Sequence, residues 1–285
     1  MQGIMSDLQF NVGGFTISMY CPGNDGDVML PNAYRHFLSE KAPDVFLKVH
    51  PDRVFFYRRR EKIFHSGPNW RLYRSGEKYI VRTMFQEGIF DPDFRSGDLY
   101  ALRKRGGFFN FQYFAYPLHE ILMIHLLCRD QGLLLHACGI VDKGDGILFC
   151  GMSGGGKSTL ANIWEDQTGN MVLSDDRVIV RMIDGCVTAF GTPWHGEAGH
   201  ASPEMARLRK IFFIEHAEKN WAKKLSRTEA VSHLMTRSFP PLWDRDGMIR
   251  TLEFADILSQ KIPCYGLGFV PDNRIIEFVR DISGL

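Results

Sequence analysis

The residues best suited to chemistry lie in one glycine-rich run at positions 151–158, which reads Gly-Met-Ser-Gly-Gly-Gly-Lys-Ser. The run matches the phosphate-binding pattern G-x-x-x-x-G-K-[ST] at every fixed position. Glycines let a backbone fold closely around an anion, so that successive N–H groups point at phosphate oxygens. Lys157 would add a point charge toward the β- and γ-phosphates, and the Ser158 hydroxyl can ligate Mg²⁺. The predicted nucleotide contacts are Gly151, Ser153, Gly154, Gly155, Gly156, Lys157, Ser158 and Thr159.

The sequence on either side of this run supports the interpretation. Residues 146–150 form a short apolar stretch that is typical of a buried strand. After the run, Leu160, Ile163 and Trp164 recur at helical spacing. A strand before the glycines and a helix after them is the arrangement that phosphate binding requires, because the helix directs its positive end at the anion. A glycine-rich turn without a ligand is the alternative.

Two acidic residues end an apolar run a short distance further on, in Met171-Val-Leu-Ser-Asp-Asp176. This is the Walker B arrangement, in which a carboxylate at a strand end holds Mg²⁺ directly or through water. Two adjacent acids could divide the work, with one near the metal and the other accepting a substrate proton. Because successive strand residues point to opposite faces, both can act only if the strand ends before them. A turn or helix cap is the alternative.

Histidines and a glutamate complete the set of candidates. His136 lies on the predicted strand before the glycine-rich run, so a hairpin would bring it near the nucleotide; a buried, hydrogen-bonded histidine is the alternative. Glu197, in the loop-like stretch 191–200, could complete Mg²⁺ coordination, which uses oxygen ligands. His195 and His200 are five positions apart, which is poor spacing for two ligands on one helix face, so we predict no zinc site.

Composition and charge exclude several other classes of protein. The 285 residues include 34 basic and 33 acidic side chains, and this balance gives no general attraction to nucleic acid or to an anionic membrane. No apolar run approaches the roughly 18 residues of a membrane span, and no signal peptide is evident. The six cysteines are scattered without a C-x-x-C pair, which favours free thiols over a disulfide or metal framework. We therefore expect a cytoplasmic protein.

The chain is predicted to divide into two regions. Residues 1–105 contain strand-like runs, including 45–49, 53–57 and a pair around the Ser75-Gly76 turn, and we interpret them as a β-rich substrate-recognition or lid region. Gly106-Gly107 marks the break before a nucleotide-binding region at 106–285.

Helices and strands alternate in this second region. A helix is predicted from Pro117 to Cys128, and another from Ser226, where Ser-Arg-Thr-Glu has capping-box spacing. Ser202 is predicted to open a turn or short helix. Tight turns such as Asp184-Gly185 join neighbouring strands, which predicts a mixed α/β fold with a partly antiparallel sheet.

Three motifs follow one another in this region: Leu135-His136-Ala137, the glycine-rich run, and Leu173-Ser-Asp-Asp176. Over roughly residues 131–215 this combination resembles the catalytic domain of HPr kinase/phosphorylase and its wider relatives. The glycine-rich run is also similar to the phosphate loop of phosphoenolpyruvate carboxykinases. The resemblance implies a mixed sheet with a phosphate loop, and ATP and Mg²⁺ as cofactors. It also implies that His136 and Asp175 support transfer to a serine hydroxyl, and that Ser158, Asp176 and Glu197 lie near Mg²⁺.

The chain departs from the HPr kinases further downstream. Those enzymes carry a Gly- and Arg-rich signature that ends in an Arg-Asn pair before a helix, whereas the stretch here runs through Thr192-Pro-Trp-His195. HPr as the acceptor, the reverse phosphorylase activity and the hexamer of that family are therefore not carried over to this chain. A homo-oligomer stays an open alternative.

The residues and the resemblance together predict a kinase that transfers the γ-phosphate of ATP to a serine-type hydroxyl of a protein or peptide. Asp175, His136 and Lys157 are its predicted catalytic residues. Two alternatives stay open: a module that binds a nucleotide as a sensor or scaffold without transferring phosphate, and a kinase that acts on a small molecule.

Overall fold

The computed structural model describes residues 7–21, 30–50, 60–101, 111–112 and 114–282. The chain forms two compact units, Met1–Leu126 and Leu127–Leu285. This division falls later than the predicted break after residue 105, and the predicted break itself lies outside the described residues.

An aromatic cluster explains why residues beyond 105 belong to the first unit. The rings of Phe111, Phe114 and His119 lie 5.7, 6.2 and 5.3 Å from the ring of Phe10, measured between centroids. His119 is fully buried, and its Nδ1 lies 2.8 Å from the hydroxyl of Tyr34. These contacts join the beginning of the chain to the segment at 111–119, which the sequence analysis assigned to the second region.

One mixed sheet dominates the first unit. Its strands follow the order β1-β2-β3-β8-β7-β6-β5-β4, with parallel pairing for β2–β3 and β3–β8 and antiparallel pairing elsewhere among the described strands. The elements are β1 (Asp7–Val12), β2 (Phe15–Tyr20), α1 (Asn32–Arg35), β3 (Val45–His50), β4 (Glu61–Ser66), β5 (Trp70–Ser75), β6 (Lys78–Thr83), β7 (Gln86–Phe90) and β8 (Ser96–Ala101), followed by α2 (His119–Arg129). The strand predicted at 53–57 lies outside the described residues.

The second unit contains another mixed sheet. The elements are β9 (Gly132–Asp142), β10 (Asp145–Cys150), α3 (Lys157–Thr168), β11 (Met171–Ser174), β12 (Arg177–Ile183), β13 (Cys186–Phe190), β14 (Met205–His216), β15 (Trp221–Lys224), α4 (Arg227–Thr236), α5 (Arg245–Lys261), β16 (Cys264–Phe269) and α6 (Arg274–Asp281). Strand β14 is parallel to both β10 and β16, whereas β9 is antiparallel to β10, β11 and β12. The prediction of a mixed α/β fold with partly antiparallel pairing is confirmed.

Helices cover both faces of this second sheet. Alternate residues of β10 separate into two cores, because successive strand side chains point to opposite faces. Leu148 belongs to a core that includes Leu234 of α4 and Leu258 of α5. Phe149 belongs to a core that includes Trp164 of α3 and residues of α6. Both faces of the sheet are therefore covered by a buried apolar core.

Turns and caps match the local sequence signals in several places. Asp184 and Gly185 both have positive φ, as a tight hairpin turn requires, and they connect β12 to β13. The capping box predicted at Ser226 and Glu229 is present at the start of α4. Ser202, however, opens no helix, because the chain there extends into β14. Among the described residues, no helix is long and apolar enough to span a membrane.

Candidate functional site

The glycine-rich run forms the connection between the end of β10 and the start of α3. Gly154 and Gly156 have φ values of +75° and +95°, which side chains other than glycine rarely adopt. A Cβ atom on Gly156 would lie 2.5 Å from the ring of Phe269, and one on Gly151 would lie 2.7 Å from Ile214. Gly151, Gly154 and Gly156 are therefore required by the fold of the loop itself.

The outer side of this loop suits an anion. Ser153, Gly154 and Thr159 are exposed. The N–H groups in the first turn of a helix have no helical partner, and within the described part of the chain no side chain caps α3. The exposed N–H groups and the positive end of the helix can therefore receive phosphate oxygens. These residues fit the triphosphate predicted from the sequence.

Lys157 is nearly buried at the base of the loop, with 6% of its surface exposed. Its Nζ lies 2.8 Å from Nε2 of His136 and donates to the carbonyl oxygens of Gly151 and Met152, at 3.1 and 3.0 Å. Burial lowers the pKa of Lys157 below its usual value. Three acceptors thus hold the ammonium group beside the loop. One of them, His136, also contacts the carboxylate of Asp176.

His136 joins Lys157 to Asp176. The Nδ1 atom of His136 lies 3.2 Å from Oδ1 of Asp176, and the other oxygen of Asp176 accepts from Nη1 of Arg177 at 2.8 Å. Burial would raise the pKa of Asp176, but the hydrogen bond from His136 and the nearby positive charges outweigh burial and lower the pKa. A neutral His136 with its proton on Nδ1 satisfies both neighbours, because Nε2 then accepts from Lys157. We assign this tautomer from the hydrogen-bond pattern.

Asp175 has quite different neighbours. Its Oδ1 accepts from the backbone N–H of Gly196 at 2.8 Å. Its Oδ2 accepts from the N–H of Ala198 at 3.0 Å and from the hydroxyl of Ser158 at 3.0 Å. Only 1% of the residue is exposed. Three donors from two separate segments therefore fix the position of this carboxylate.

The segment that follows β13 is fitted closely around Asp175. A Cβ atom on Gly196 would lie 2.7 Å from Oδ2 of Asp175, so only glycine allows this approach. The buried hydroxyl of Ser174 donates to the carbonyl of Trp194 at 3.0 Å and accepts from the N–H groups of Asp176 and Arg177. Ser174 thus connects the end of β11 to the segment that holds Asp175.

The structure brings most of the predicted residues together but pairs them differently. Ser158 binds Asp175 and not Asp176, while His136 binds Asp176 and not Asp175. The resemblance grouped the residues by role instead, with Ser158 and Asp176 near Mg²⁺ and His136 and Asp175 at the acceptor, and those roles stay a prediction. Strand β11 ends at Ser174, which satisfies the condition that the strand must stop before both acids can act.

The remaining candidates lie further from these contacts. Glu197 is exposed, between the two residues whose N–H groups bind Asp175. His195 is also exposed, and His200 lies beside Asn162 and Glu165 of α3, at 3.3 and 3.8 Å. Within the described ranges, no three His, Cys, Asp or Glu side chains form a cluster that could hold a metal by themselves. A site for Mg²⁺ does not need one, because this ion binds through one or two carboxylates together with phosphates and water.

Sequence reasoning missed several contributors to the site. Ala198 and Gly196 act through backbone N–H groups, for which residue type gives no signal. His216, at the end of β14, lies with its Nε2 3.1 Å from the carbonyl of Gly154, although 62 positions separate the two residues. Gly196 lies in the stretch 191–200, which drew attention for its Glu and His residues. The steric requirement for glycine at position 196 could not be predicted, because it depends on the distant Asp175.

Comparisons with known proteins add little to this geometry. No protein-family model matches the chain, and no curated protein matches it. Among solved structures, the HPr(Ser) kinase/phosphatase from Coxiella burnetii is similar at 11% sequence identity, with 52% of this chain and 94% of that chain covered and a TM-score of 0.31. A likeness at this level carries no argument about activity, so any functional proposal must be built on the site itself.

Proposed function

We propose that this protein is an ATP- and Mg²⁺-dependent kinase that transfers the γ-phosphate to a hydroxyl group of a protein or peptide. One observation supports this above all: the last two residues of the glycine-rich run each reach one of the consecutive aspartates. Ser158 binds Asp175 directly, and Lys157 is joined to Asp176 through His136. A glycine-rich turn with a purely structural role has no need of such contacts.

The phosphate side of the proposed site consists of the loop N–H groups and Lys157. Phosphoryl transfer has a loose transition state, so catalysis depends mainly on positioning and on neutralising charge. The ammonium group of Lys157 is already partly desolvated, so it would strongly attract a phosphate oxygen that replaces one of its three present acceptors. Its contacts with two loop carbonyls keep it at the base of the loop.

Asp175 and Ser158 are the residues proposed to hold Mg²⁺. Both offer oxygen atoms, and they already lie 3.0 Å apart. When bound, Mg²⁺ supplies positive charge that offsets the charge on the β- and γ-phosphates. Because backbone N–H groups hold both carboxylate oxygens of Asp175, the acid is fixed without any other ionisable residue. Exposed Glu197 is left outside this core of the proposed metal site.

Asp176 and His136 form the proposed acceptor side, which is the part of the site where the hydroxyl group that receives the phosphate would bind. The lowered pKa of Asp176 makes its carboxylate a weak base, so its proposed part is to orient the acceptor hydroxyl through a hydrogen bond. His136 and Arg177 hold its two oxygens in place. This assigns the acceptor role to Asp176 and the metal role to Asp175, the reverse of what the resemblance implies.

Transfer of labelled phosphate from γ-³²P-ATP to a panel of proteins and peptides tests the proposal. Lys157→Ala and Asp175→Asn should each lower transfer by roughly 10²–10³-fold, the usual cost of losing one preorganised charge-stabilising group. The matched controls are Lys219→Ala and Asp166→Asn, because both residues are exposed and belong to neither side of the site. Circular dichroism of every variant shows whether the fold is retained.

The outcomes separate the proposal from its alternatives. Mg²⁺-dependent ATP binding without transfer to any acceptor, and without change in Asp175→Asn, would contradict the kinase and favour a nucleotide-binding sensor or scaffold. Transfer to a small hydroxyl compound, with none to peptides, would keep the chemistry but overturn the macromolecular acceptor. Full activity in Lys157→Ala would remove the loop from the mechanism.

A further inference from the structure

A cavity of about 500 Å³ lies at the end of β10 opposite the glycine-rich loop. Asp145, the first residue of β10, lines the cavity, while the loop follows Cys150, the last residue of that strand. At about 3.3 Å per residue, the six residues of β10 separate the two places by roughly 17–20 Å. Arg207 near the start of β14 and Pro263 just before β16 line the same cavity. The cavity therefore occupies the amino end of three mutually parallel strands, and the loop occupies the carboxyl end.

Positive charge dominates the lining of this basic cavity. Its charged lining consists of four cations and one carboxylate, namely Arg207, Arg209, Lys210, Lys261 and Asp145. Arg209 donates to Asp145 at 2.8 Å, and Lys210 donates to backbone carbonyls at the end of α6. Arg207 and Lys261 are exposed, and in the described part of the chain neither forms an ion pair. Two charges thus remain for a ligand.

The local strand geometry gathers this charge on one side. Arg207 and Arg209 are two positions apart and both exposed, while Leu208 between them is buried. Like charges held close together repel one another, and a bound anion removes that cost. Buried Val187, Leu208 and Ile262 give the cavity an apolar floor. A cationic rim above an apolar floor, within the usual volume range of small-molecule sites, suits an organic anion.

We propose that the basic cavity binds a small polyanion, a molecule of metabolite size with two or more phosphate or carboxylate groups. The guanidinium group of Arg207 presents paired N–H donors that match such groups, and Lys261 adds a flexible point charge. This site is separate from the proposed phosphate-binding loop, and neither proposal depends on the other.

Cys186 provides a reporter that lies in the cavity itself. It lines the cavity and is exposed, whereas the other five cysteines are buried. Burial also raises the pKa of the Cys128, Cys138, Cys150 and Cys264 thiols, which makes them slow to react. In the test, neutral iodoacetamide alkylates Cys186 of the full chain, with inorganic pyrophosphate as the anion and without divalent metal. Peptide mass spectrometry measures the rate at each cysteine.

Pyrophosphate should protect Cys186 in a saturable way. At a concentration about ten times its Kd the alkylation rate should fall about tenfold, because only the free protein reacts. Lys157→Ala should show the same protection, which separates this site from the glycine-rich loop. The double substitution Arg207→Gln and Lys261→Gln should lose the protection, while the charge-conserving Arg207→Lys and Lys261→Arg should retain much of it.

A second measurement reads the charge of the cavity without any added ligand. In low salt, the ratio of the alkylation rate by anionic iodoacetate to the rate by neutral iodoacetamide should be higher at Cys186 than for a free thiol. This ratio should fall as added salt screens the cations. The Arg207→Gln and Lys261→Gln substitutions should remove the difference from a free thiol. Unsaturable protection, protection unchanged in the double glutamine variant, or protection lost in Lys157→Ala would each overturn the proposal.

Discussion

Asp175 and Asp176 are consecutive residues, yet the two sides of the site that they define are built in different ways. On the Asp175 side, two backbone N–H groups and the hydroxyl of Ser158 hold the carboxylate. On the Asp176 side, the neighbours are His136 and Arg177, whose side chains carry or can acquire charge. Backbone and hydroxyl donors hold the first side, and the second forms a chain of side-chain contacts that reaches Lys157 through His136.

This difference explains how adjacent identical side chains can serve different purposes. Backbone N–H groups fix the carboxylate of Asp175 in one geometry, which suits a metal ligand. A carboxylate held by the side chains of a histidine and an arginine is ordered by side-chain hydrogen bonds, which suits the orientation of a polar acceptor group. Both arrangements depend on the end of β11 at Ser174, since a continued strand would point the two side chains to opposite faces.

Among these substitutions, Gly196→Ala should lower the free energy of unfolding most. It disturbs the Asp175 side alone. The new Cβ would lie 2.7 Å from Oδ2 of buried Asp175, whose carboxylate three donors already hold, so the segment or the aspartate must shift. Overpacking of this kind costs roughly 1–3 kcal/mol, and we expect urea unfolding to show a loss of that size. Mg²⁺-dependent ATP binding should weaken at the same time.

Gly266→Ala is the matched control for this substitution. Its backbone conformation is also ordinary, and an added Cβ would meet the ring of Trp221 at 3.6 Å, a normal contact distance. Its stability should change by no more than about 0.5 kcal/mol, as for most substitutions without a steric conflict. Equal stability of Gly196→Ala and Gly266→Ala would show that the Asp175 side is not held as tightly as the contacts indicate.

Substitution of Ser174 by alanine should have a smaller effect that reaches both sides. The buried hydroxyl serves the carbonyl of Trp194 and the N–H groups of Asp176 and Arg177. Leaving a buried partner without its hydrogen bond costs roughly 1–2 kcal/mol, which urea unfolding measures. If Ser174→Ala lowered ATP binding but left phosphate transfer per bound ATP unchanged, the residue would support the Asp175 side only.

Much of this arrangement was readable from local sequence. The glycine-rich run, the strand before it and the helix after it follow from composition and periodicity over about 20 residues. The turn at Asp184-Gly185 and the capping box at Ser226 follow from residue types that favour one backbone geometry. These features depend on neighbours in the sequence, so they can be recognised without knowledge of the fold.

The parts that could not be predicted depend on distant contacts. The pairing of Ser158 with Asp175 is set by the segment around Gly196, whose N–H groups carry no sequence signal. Helix α5 and strand β16 were also missed, although α5 contributes to one core of the second unit and β16 pairs with both β14 and β15. In the first unit, the contact of Phe10 with Phe111 joins residues 101 positions apart, so no local pattern could place the boundary.

The smallest predicted effect concerns pH and tests the charged character of the Asp176 side. The neighbours of Asp176 lower its pKa below the usual 3.8, so the folded protein holds the ionised form more favourably than the unfolded chain does. This contribution is fully present above pH 3.8 and is lost as the pH falls through the lower, folded value. Asp176→Asn should therefore be less stable than the unsubstituted protein near pH 6, and the difference should shrink below pH 3.8.

Because the Asp176 side chain is partly exposed, solvent screening should keep the difference near pH 6 below about 1 kcal/mol. Urea unfolding of both proteins from about pH 6 down to the acid limit of the folded state measures it. A difference that stayed constant or grew on acidification would mean that His136 and Arg177 do not stabilise the charge of Asp176. The distinction between a carboxylate held by charged side chains and one held by backbone groups would then fail, and the acceptor role of Asp176 would have to rest on position alone.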